Sequence, residues 1–416
     1  MKKIFFKYKN TSSKALLFIL AGLFILASCT KKDVSTPTAS GPPTIEKVRL
    51  TDPTTKDSSL TQTTLGSTIA IVGTNLATAQ KVLFNGYALN VNPVYATDNI
   101  LVITVHDSVP TVATNPNVKD ELTVITAGGQ ATYKFKILPP RPEVNRIGNE
   151  FAKPGETVTL YGRYFYFVDT VKFGTVNVTT GITTNGTSLS VTVPAGVNLS
   201  AVDVTVRSKS GISVANRNTK FYNAARSGTL INWDDKTPGG NIVNFGWGLD
   251  AAKKVGSSLG FNPISGNYAV IDQNVPGNYG WNNDKVINMN SYDPSINNGS
   301  IWPVSSTNFA ANTPLSSLDL KFEVSSLFPV GSIQAQVWQA DFANTVDLKD
   351  FVMSADGKWY TVTINLGNMV KGSTKLATYG ELSKTNELRV LFQNPTTADI
   401  PAKFAIDNIR IVNNVR

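Results

Sequence analysis

Two side chains on which much enzyme and metal chemistry depends are almost missing. Cysteine occurs once in 416 residues, at Cys29, and histidine once, at His106. A lone cysteine excludes any intrachain disulfide. From Gly228 onward there is neither, which removes Ser-His-Asp, Cys-His and His-ligated metal chemistry from that part of the chain. His106 follows a strand without a partner motif and reads as a solvated loop residue. Carboxylate-pair glycoside hydrolysis needs neither residue, but Glu323, Glu381 and Glu387 sit in no identifiable motif, so the chain reads as non-catalytic. From Ala225 onward no stretch holds a sustained helical period, and no lysine/arginine cluster tracks along a groove, which argues against nucleic acid as a ligand. The formal charge of +9 is concentrated at the start: without Lys2, Lys3, Lys7, Lys9 and Lys14 there are 33 basic and 29 acidic residues. From Gly228 the count is 14 basic to 16 acidic, a near-neutral stretch suited to an uncharged partner.

Residues 1–28 read as a targeting segment. Five lysines precede the 14-residue apolar run Ala15–Ser28, too short to span a membrane comfortably and suited to a signal-peptide core. The closing Leu26-Ala27-Ser28-Cys29 resembles a bacterial lipobox, which implies lipidation at Cys29 and a membrane anchor of several acyl chains. Residues 29–42, rich in Pro, Ser and Thr, read as a flexible tether.

Two segments then repeat. GSTIAIVGTNL, from Gly66, precedes KVLFNG; GETVTLYGRYF, from Gly155, precedes TVKFG. Gly66 and Gly73 are seven apart, as are Gly155 and Gly162, and Phe84 and Phe173 follow eleven later. Period-2 runs between Gly, Asn and Pro predict antiparallel sandwiches over 43–138 and 139–224. The pattern resembles the immunoglobulin-like IPT/TIG family, which implies fold and says little about function. Pro139, Pro140 and Pro142 predict a stiff junction between the copies. Tyr161, Tyr164, Phe165, Tyr166 and Phe167 are assigned to a domain core and interdomain contact.

Residues 225–416 read as one larger β-sandwich, with strands near 318–324, 332–338, 359–366, 388–393 and 403–412. All six tryptophans lie at or beyond Trp233, and residues 228–310 hold four of them with fourteen asparagines. Trp247, Tyr279, Trp281 and Trp302 come wrapped in Gly, Asn and Pro, a composition for loops that present flat rings beside amides. A sugar offers an apolar C–H face and a rim of hydroxyls, which rings with Asn282, Asn283 and Asp284 can meet. In SIQAQVWQA, Ile333, Ala335 and Val337 share one face and Gln334, Gln336 and Trp338 the other, which places Trp338 on the outer face as a further platform. Trp359 is assigned to the sandwich edge, and Trp233 to the core or the site alike. Asp234, Asp235 and Asp407 lie at the two ends of this segment, where jelly rolls can hold a structural Ca²⁺, but no spaced loop motif accompanies them; no cofactor is expected.

FAIDNIRIV and GKWYTVTINL resemble strands of carbohydrate-binding jelly rolls. The complete order is all-β, with two tandem IPT/TIG sandwiches before a larger jelly-roll-like one. It resembles the surface glycan-binding lipoproteins of Bacteroidetes polysaccharide-utilisation systems, in particular the xyloglucan type. That resemblance implies a non-catalytic outer-membrane lipoprotein facing the cell exterior. It would bind a polysaccharide or oligosaccharide, a plant β-glucan or hemicellulose, beside a TonB-dependent transporter and its partner lipoprotein. The rival readings are a surface adhesin that docks a protein and a lipoprotein glycosidase or lyase.

Overall fold

A computed structural model describes residues 41–234, 254–282, 285–290, 300–303 and 309–414. Cys29, Asp235, Trp247, Asn283 and Asp284 lie outside the described residues. No described helix is long and apolar enough to cross a membrane. The chain divides into two compact units, one of residues up to Pro110 with Asn117–Ile137, the other of Thr111–Pro116 with Leu138–Arg416.

The first unit is a sandwich. Thr44–Leu50, Thr68–Thr74 and Ile100–Thr104 form one sheet; Tyr87–Asn90, Ala79–Phe84, Glu121–Thr126 and Gly129–Lys134 form the other. Val48, Ile69, Ile71, Val82, Phe84, Leu122 and Val124 fill the space between them.

The second unit opens with a sandwich built the same way. Glu143–Ile147, Thr157–Phe165, Gly186–Thr192 and Thr183–Thr184 form one sheet, and Val176–Val178, Val168–Phe173, Val204–Ser208 and Gly211–Ile212 the other. The repeated glycine spacing now has a physical reason. The first glycine of each pair turns the chain with positive φ, +76° at Gly66 and +88° at Gly155, which only glycine adopts without cost. The second lies beside a β-bulge in the partner strand, where a side chain would collide: a Cβ at Gly73 would stand 1.9 Å from the Thr44 carbonyl oxygen, and one at Gly162 1.8 Å from that of Glu143.

The rest of the second unit packs two six-stranded antiparallel sheets around one core. The first runs Val255–Gly256, Tyr268–Val275, Ile400–Asn413, Leu318–Ser326 and Trp359–Asn365, with Ser227–Ile231 also paired to the long 400–413 strand. The second runs Val286–Asn290, Glu387–Gln393, Gln334–Gln339, Phe342–Asp347, Val370–Lys371 and Thr374–Lys375. Leu320, Phe322, Val324, Ile333, Ala335, Val337, Val390, Phe392 and Phe404 meet in the middle.

On the 318–326 strand Leu318, Leu320, Phe322 and Val324 point into this core. The alternate residues Asp319, Lys321, Glu323 and Ser325 are nevertheless buried as well, because the immunoglobulin-like domain of the same unit covers that face. Glu150 of that domain pairs with Lys321 and, at 3.0 Å, with Arg410 Nη2. Arg410 in turn grips Glu323 with both terminal nitrogens, at 2.7 and 2.9 Å. Phe151 and Tyr222 stack 4.5 Å apart beside the same guanidinium, which lies 5.0 and 5.5 Å from their ring centres. The Thr361 amide donates to the Gly148 carbonyl, and the Glu150 amide to Thr361 Oγ1. Arg146, stacked at 3.8 Å on Tyr161, donates to the Asp350 carbonyl. As expected, Phe165 belongs to the domain core and Tyr161 to the interdomain contact region.

Burial pushes Glu150 up, but Lys321 and Arg410 outweigh it and hold the carboxyl below its ordinary range. For Glu323 burial wins over Arg410, and the group is pushed up to about 7. Asp407, fully buried with no described partner on Oδ2, is pushed up to about 8, chiefly by burial, with Glu323 and Asp234 adding to the effect.

Candidate functional site

Residues 276–282 follow the Tyr268–Val275 strand of the first sheet and carry, among the described residues, the most exposed rings of that domain. Tyr279 is 56% and Trp281 58% exposed. Both stand on a scaffold that leaves the backbone little freedom. The Asn278 amide donates to the Thr396 carbonyl at 2.6 Å, the Tyr279 amide to the Asn394 carbonyl at 2.9 Å and the Gly277 amide to Asp399 at 3.0 Å. The receiving turn, NPTTAD, is fixed from within: Asn394 Nδ2 donates to the Val275 and Ala398 carbonyls, and its Oδ1 accepts from Thr396. Contact is so close that a Cβ at Gly277 would lie 2.4 Å from the Thr397 carbonyl oxygen. From below, buried Lys285 donates to the Gly280 carbonyl, with its ammonium 6.0 Å from the Trp281 ring centre. Burial holds its pKa below the ordinary value. Asn282 Nδ2 donates to Gln273 at 2.9 Å.

This scaffold imposes strain on a ring-bearing residue. Asn278 and Tyr279 adopt φ of +53° and +57°. The left-handed conformation costs a non-glycine residue about 1–2 kcal/mol, a cost least heavy for asparagine and uncompensated by any burial of the tyrosine ring. An exposed aromatic pair on a backbone fixed in advance is what a stacking platform requires, since a ring fixed beforehand loses little entropy on binding.

The Tyr279 amide meets the second sheet at Asn394, the residue that follows the Glu387–Gln393 strand. Ile333, Ala335 and Val337 point into the core, and Gln334, Gln336 and Trp338 point outward, as the alternation predicts. Gln334 is paired in register with Gln393, Gln336 with Leu391 and Trp338 with Arg389. Gln336 donates to Thr345 at 3.0 Å and Gln334 to Asp347 at 2.9 Å, so a row of amides crosses the sheet. Trp338 is only half-exposed, and the Arg389 guanidinium lies 3.9 Å from its ring centre, oriented by Glu387. A sugar meeting this residue meets an indole–guanidinium stack rather than a bare ring.

Trp302 requires a correction. The Gly-flanked GSIWP segment predicts an exposed loop ring, but the side chain is 6% exposed and belongs to the core. Its Nε1 donates to the Thr385 carbonyl at 2.7 Å, and its ring meets Tyr379 edge-to-face at 6.1 Å. An indole is buried readily once its one N–H finds an acceptor. Trp233 is core as well. Trp359 holds the sheet edge, its Nε1 donating to the Asn262 carbonyl at 2.6 Å. Asp234 is occupied by Ser265 and the Asn267 amide, and among the described residues no group of three or more His, Cys, Asp or Glu side chains is placed to hold a metal.

Sequence reasoning missed Arg389, Gln393, Lys285 and the 394–399 turn that supports the platform. The turn's Asn-Pro-Thr-Thr composition marks it as a turn; nothing local indicates that it supports another loop.

Residues 222–413 match the family described as the surface glycan-binding protein B xyloglucan binding domain, and residues 142–222 match the IPT/TIG domain. A curated relative, an IPT/TIG domain-containing protein of Bacteroides ovatus, is 31% identical over 176 residues, which is 42% of this chain. The chain spans about a third of that relative's length, 35%. Among solved structures, surface glycan-binding protein PbSGBP-B from Prevotella bryantii superposes with a TM-score of 0.55 at 24% identity, covering 91% of this chain and 100% of that one. SGBP-B from a complex xyloglucan utilization locus of Bacteroides uniformis gives 0.43 at 20% identity, covering 89% and 99%.

Proposed function

We propose that the chain, whose residues 222–413 match the surface glycan-binding protein B xyloglucan binding domain, is a non-catalytic cell-surface lipoprotein capturing an extracellular polysaccharide. The observation that carries the reading is the pair Tyr279 and Trp281, exposed on a loop braced by the 394–399 turn; the amides and the Trp338–Arg389 stack of the second sheet are proposed to extend the same surface. Flat rings match the C–H face of a pyranose, and glutamine and asparagine side chains match its hydroxyls. Each stacked ring contributes on the order of 1 kcal/mol, so affinity accumulates along an extended chain and reaches the micromolar range only with several contacts. An uncharged β-glucan or hemicellulose backbone fits this combination. Trp247, Asn283 and Asp284 are proposed to extend the same surface.

The acylated Cys29 would hold the protein in the outer membrane facing outward, with residues 29–42 and the immunoglobulin-like domains as spacers. Delivery would be to a TonB-dependent transporter and its partner lipoprotein. Native affinity electrophoresis in gels containing xyloglucan or mixed-linkage glucan tests the surface. Wild-type protein should be retarded, Trp281→Ala should migrate as in a gel without polysaccharide, and Trp338→Ala should be retarded less. Unchanged retardation of Trp281→Ala would refute the placement of the site.

A further inference from the structure

Within the second unit, a cleft of about 460 Å³ opens between the immunoglobulin-like domain and the larger sandwich, on a different sheet from the platform described above. One wall comes from the 148–149 turn and the 157–161 strand segment, the other from the 353–360 turn and strand. Its shape is set in advance, because the two domains are joined behind it by the Glu150–Arg410–Glu323 cluster and by the Thr361–Gly148 backbone hydrogen bond. A preformed concave site of this size lies in the range that holds small organic ligands.

The lining chemistry narrows the ligand. Trp359 is half-buried, its orientation fixed by Asn262 and by an edge-to-face contact with Tyr268 at 5.9 Å. Tyr161 adds a second ring, and Met353, 53% exposed, an apolar rim. Asn149, Glu156 and Asp356 supply amide and carboxylate acceptors. The lysine lining the cleft, Lys358, is paired with Asp356 at 2.9 Å. Two carboxylates against one neutralised ammonium disfavour an anion, and the density of polar groups disfavours a lipid tail. Rings beside hydroxyl acceptors favour a neutral polyol with an apolar face.

We propose that this interdomain cleft is a second glycan subsite, which takes a short stretch or a chain end of a neutral oligosaccharide. The proposal rests on the reading of the chain as a glycan binder, and it places a contact on the spacer domain as well as on the C-terminal one. A chain long enough to span both places would be held by two grips, and its retention would then rise with length.

Isothermal titration of the mature chain with xyloglucan heptasaccharide and with cellohexaose tests it. Wild-type protein should bind two molecules per chain. Met353→Arg, a change at an exposed position that places a bulky cation across the cleft mouth, should bind one; Trp281→Ala should bind one; the double variant should bind none. In 5-fluorotryptophan-labelled protein, the resonance that disappears in Trp359→Phe should move during the titration. A single site, lost in Trp281→Ala and untouched by Met353→Arg, with a stationary Trp359 resonance, would overturn the proposal and leave the platform standing. A single site lost only in Met353→Arg would support the cleft and overturn the platform. No heat with either sugar overturns both.

Discussion

Glu150 belongs to one domain and its charge partners to another, so its removal offers a direct measure of what joins them. The substitution Glu150→Gln keeps the shape and one carbonyl acceptor but strands part of the positive charge of Lys321 and Arg410, which are 2% and 1% exposed. At an effective dielectric of about 20, opposite charges about 3 Å apart attract by ~5 kcal/mol before desolvation is counted. Burying the carboxylate itself costs several kcal/mol, so the net value of the pair is smaller than that attraction. Removing one partner leaves the other side uncompensated, and such changes destabilise by about 3–5 kcal/mol. Arg410 keeps its two-pronged contact with Glu323, whereas among the described residues Lys321 has no second carboxylate in contact. The double variant Glu150→Gln/Lys321→Met removes the stranded charge and should recover more than half of the loss. Calorimetry of the mature chain should show the shared transition of the two domains shifted down, or divided in two, in the single variant and largely restored in the double one. A loss under about 1 kcal/mol in Glu150→Gln, within the range of an exposed ion pair, would refute the claim that the cluster fastens the domains.

Asp407 supplies a pH test. Its carboxyl is pushed up to about 8 in the folded chain against 3.8 for the free group, chiefly by burial. The folded state therefore holds a proton that the unfolded chain releases. The contribution is complete below pH 4 and is lost as pH rises through 8, at about 1.4 kcal/mol per pH unit within that window. Glu323, pushed up to about 7, acts in the same direction, so Tm should fall from pH 5 to pH 8, and Asp407→Asn should flatten that fall; a Tm that rises over this range in wild-type protein would contradict it. Trp302→Ala should destabilise the fold by about 3–5 kcal/mol in urea titration, as for other large aromatic truncations in a core, whereas Trp281→Ala should change stability by less than about 0.5 kcal/mol, as an exposed position does.

Much of the architecture was legible because strand patterns are local. Alternation along residues 332–338 placed Trp338 and both glutamines on the outer face correctly, and the paired glycines marked the repeated sandwich before their reason was visible. What escaped was decided by distant parts of the chain. The 318–326 strand alternates apolar and polar residues and reads as half-exposed, yet another domain buries its polar side through Glu150. Trp302 has the sequence neighbourhood of an exposed ring, and its fate depends on the Thr385 carbonyl more than eighty residues away. Tyr279 and Trp281 were recognisable as exposed rings, but the turn at 394–399 that braces them is more than a hundred residues distant. Composition identifies the rings; only packing distinguishes those that face water.

The fastening of the immunoglobulin-like domain to the sandwich has a mechanical consequence. Under the function proposed above, a polymer several times longer than the protein, dragged by flow, would pull on whatever holds it, and tension reaching a loose hinge would let the captured strand swing. Here the load would cross a junction of buried charges and backbone hydrogen bonds that must be sheared together, so the two domains should turn as one lever.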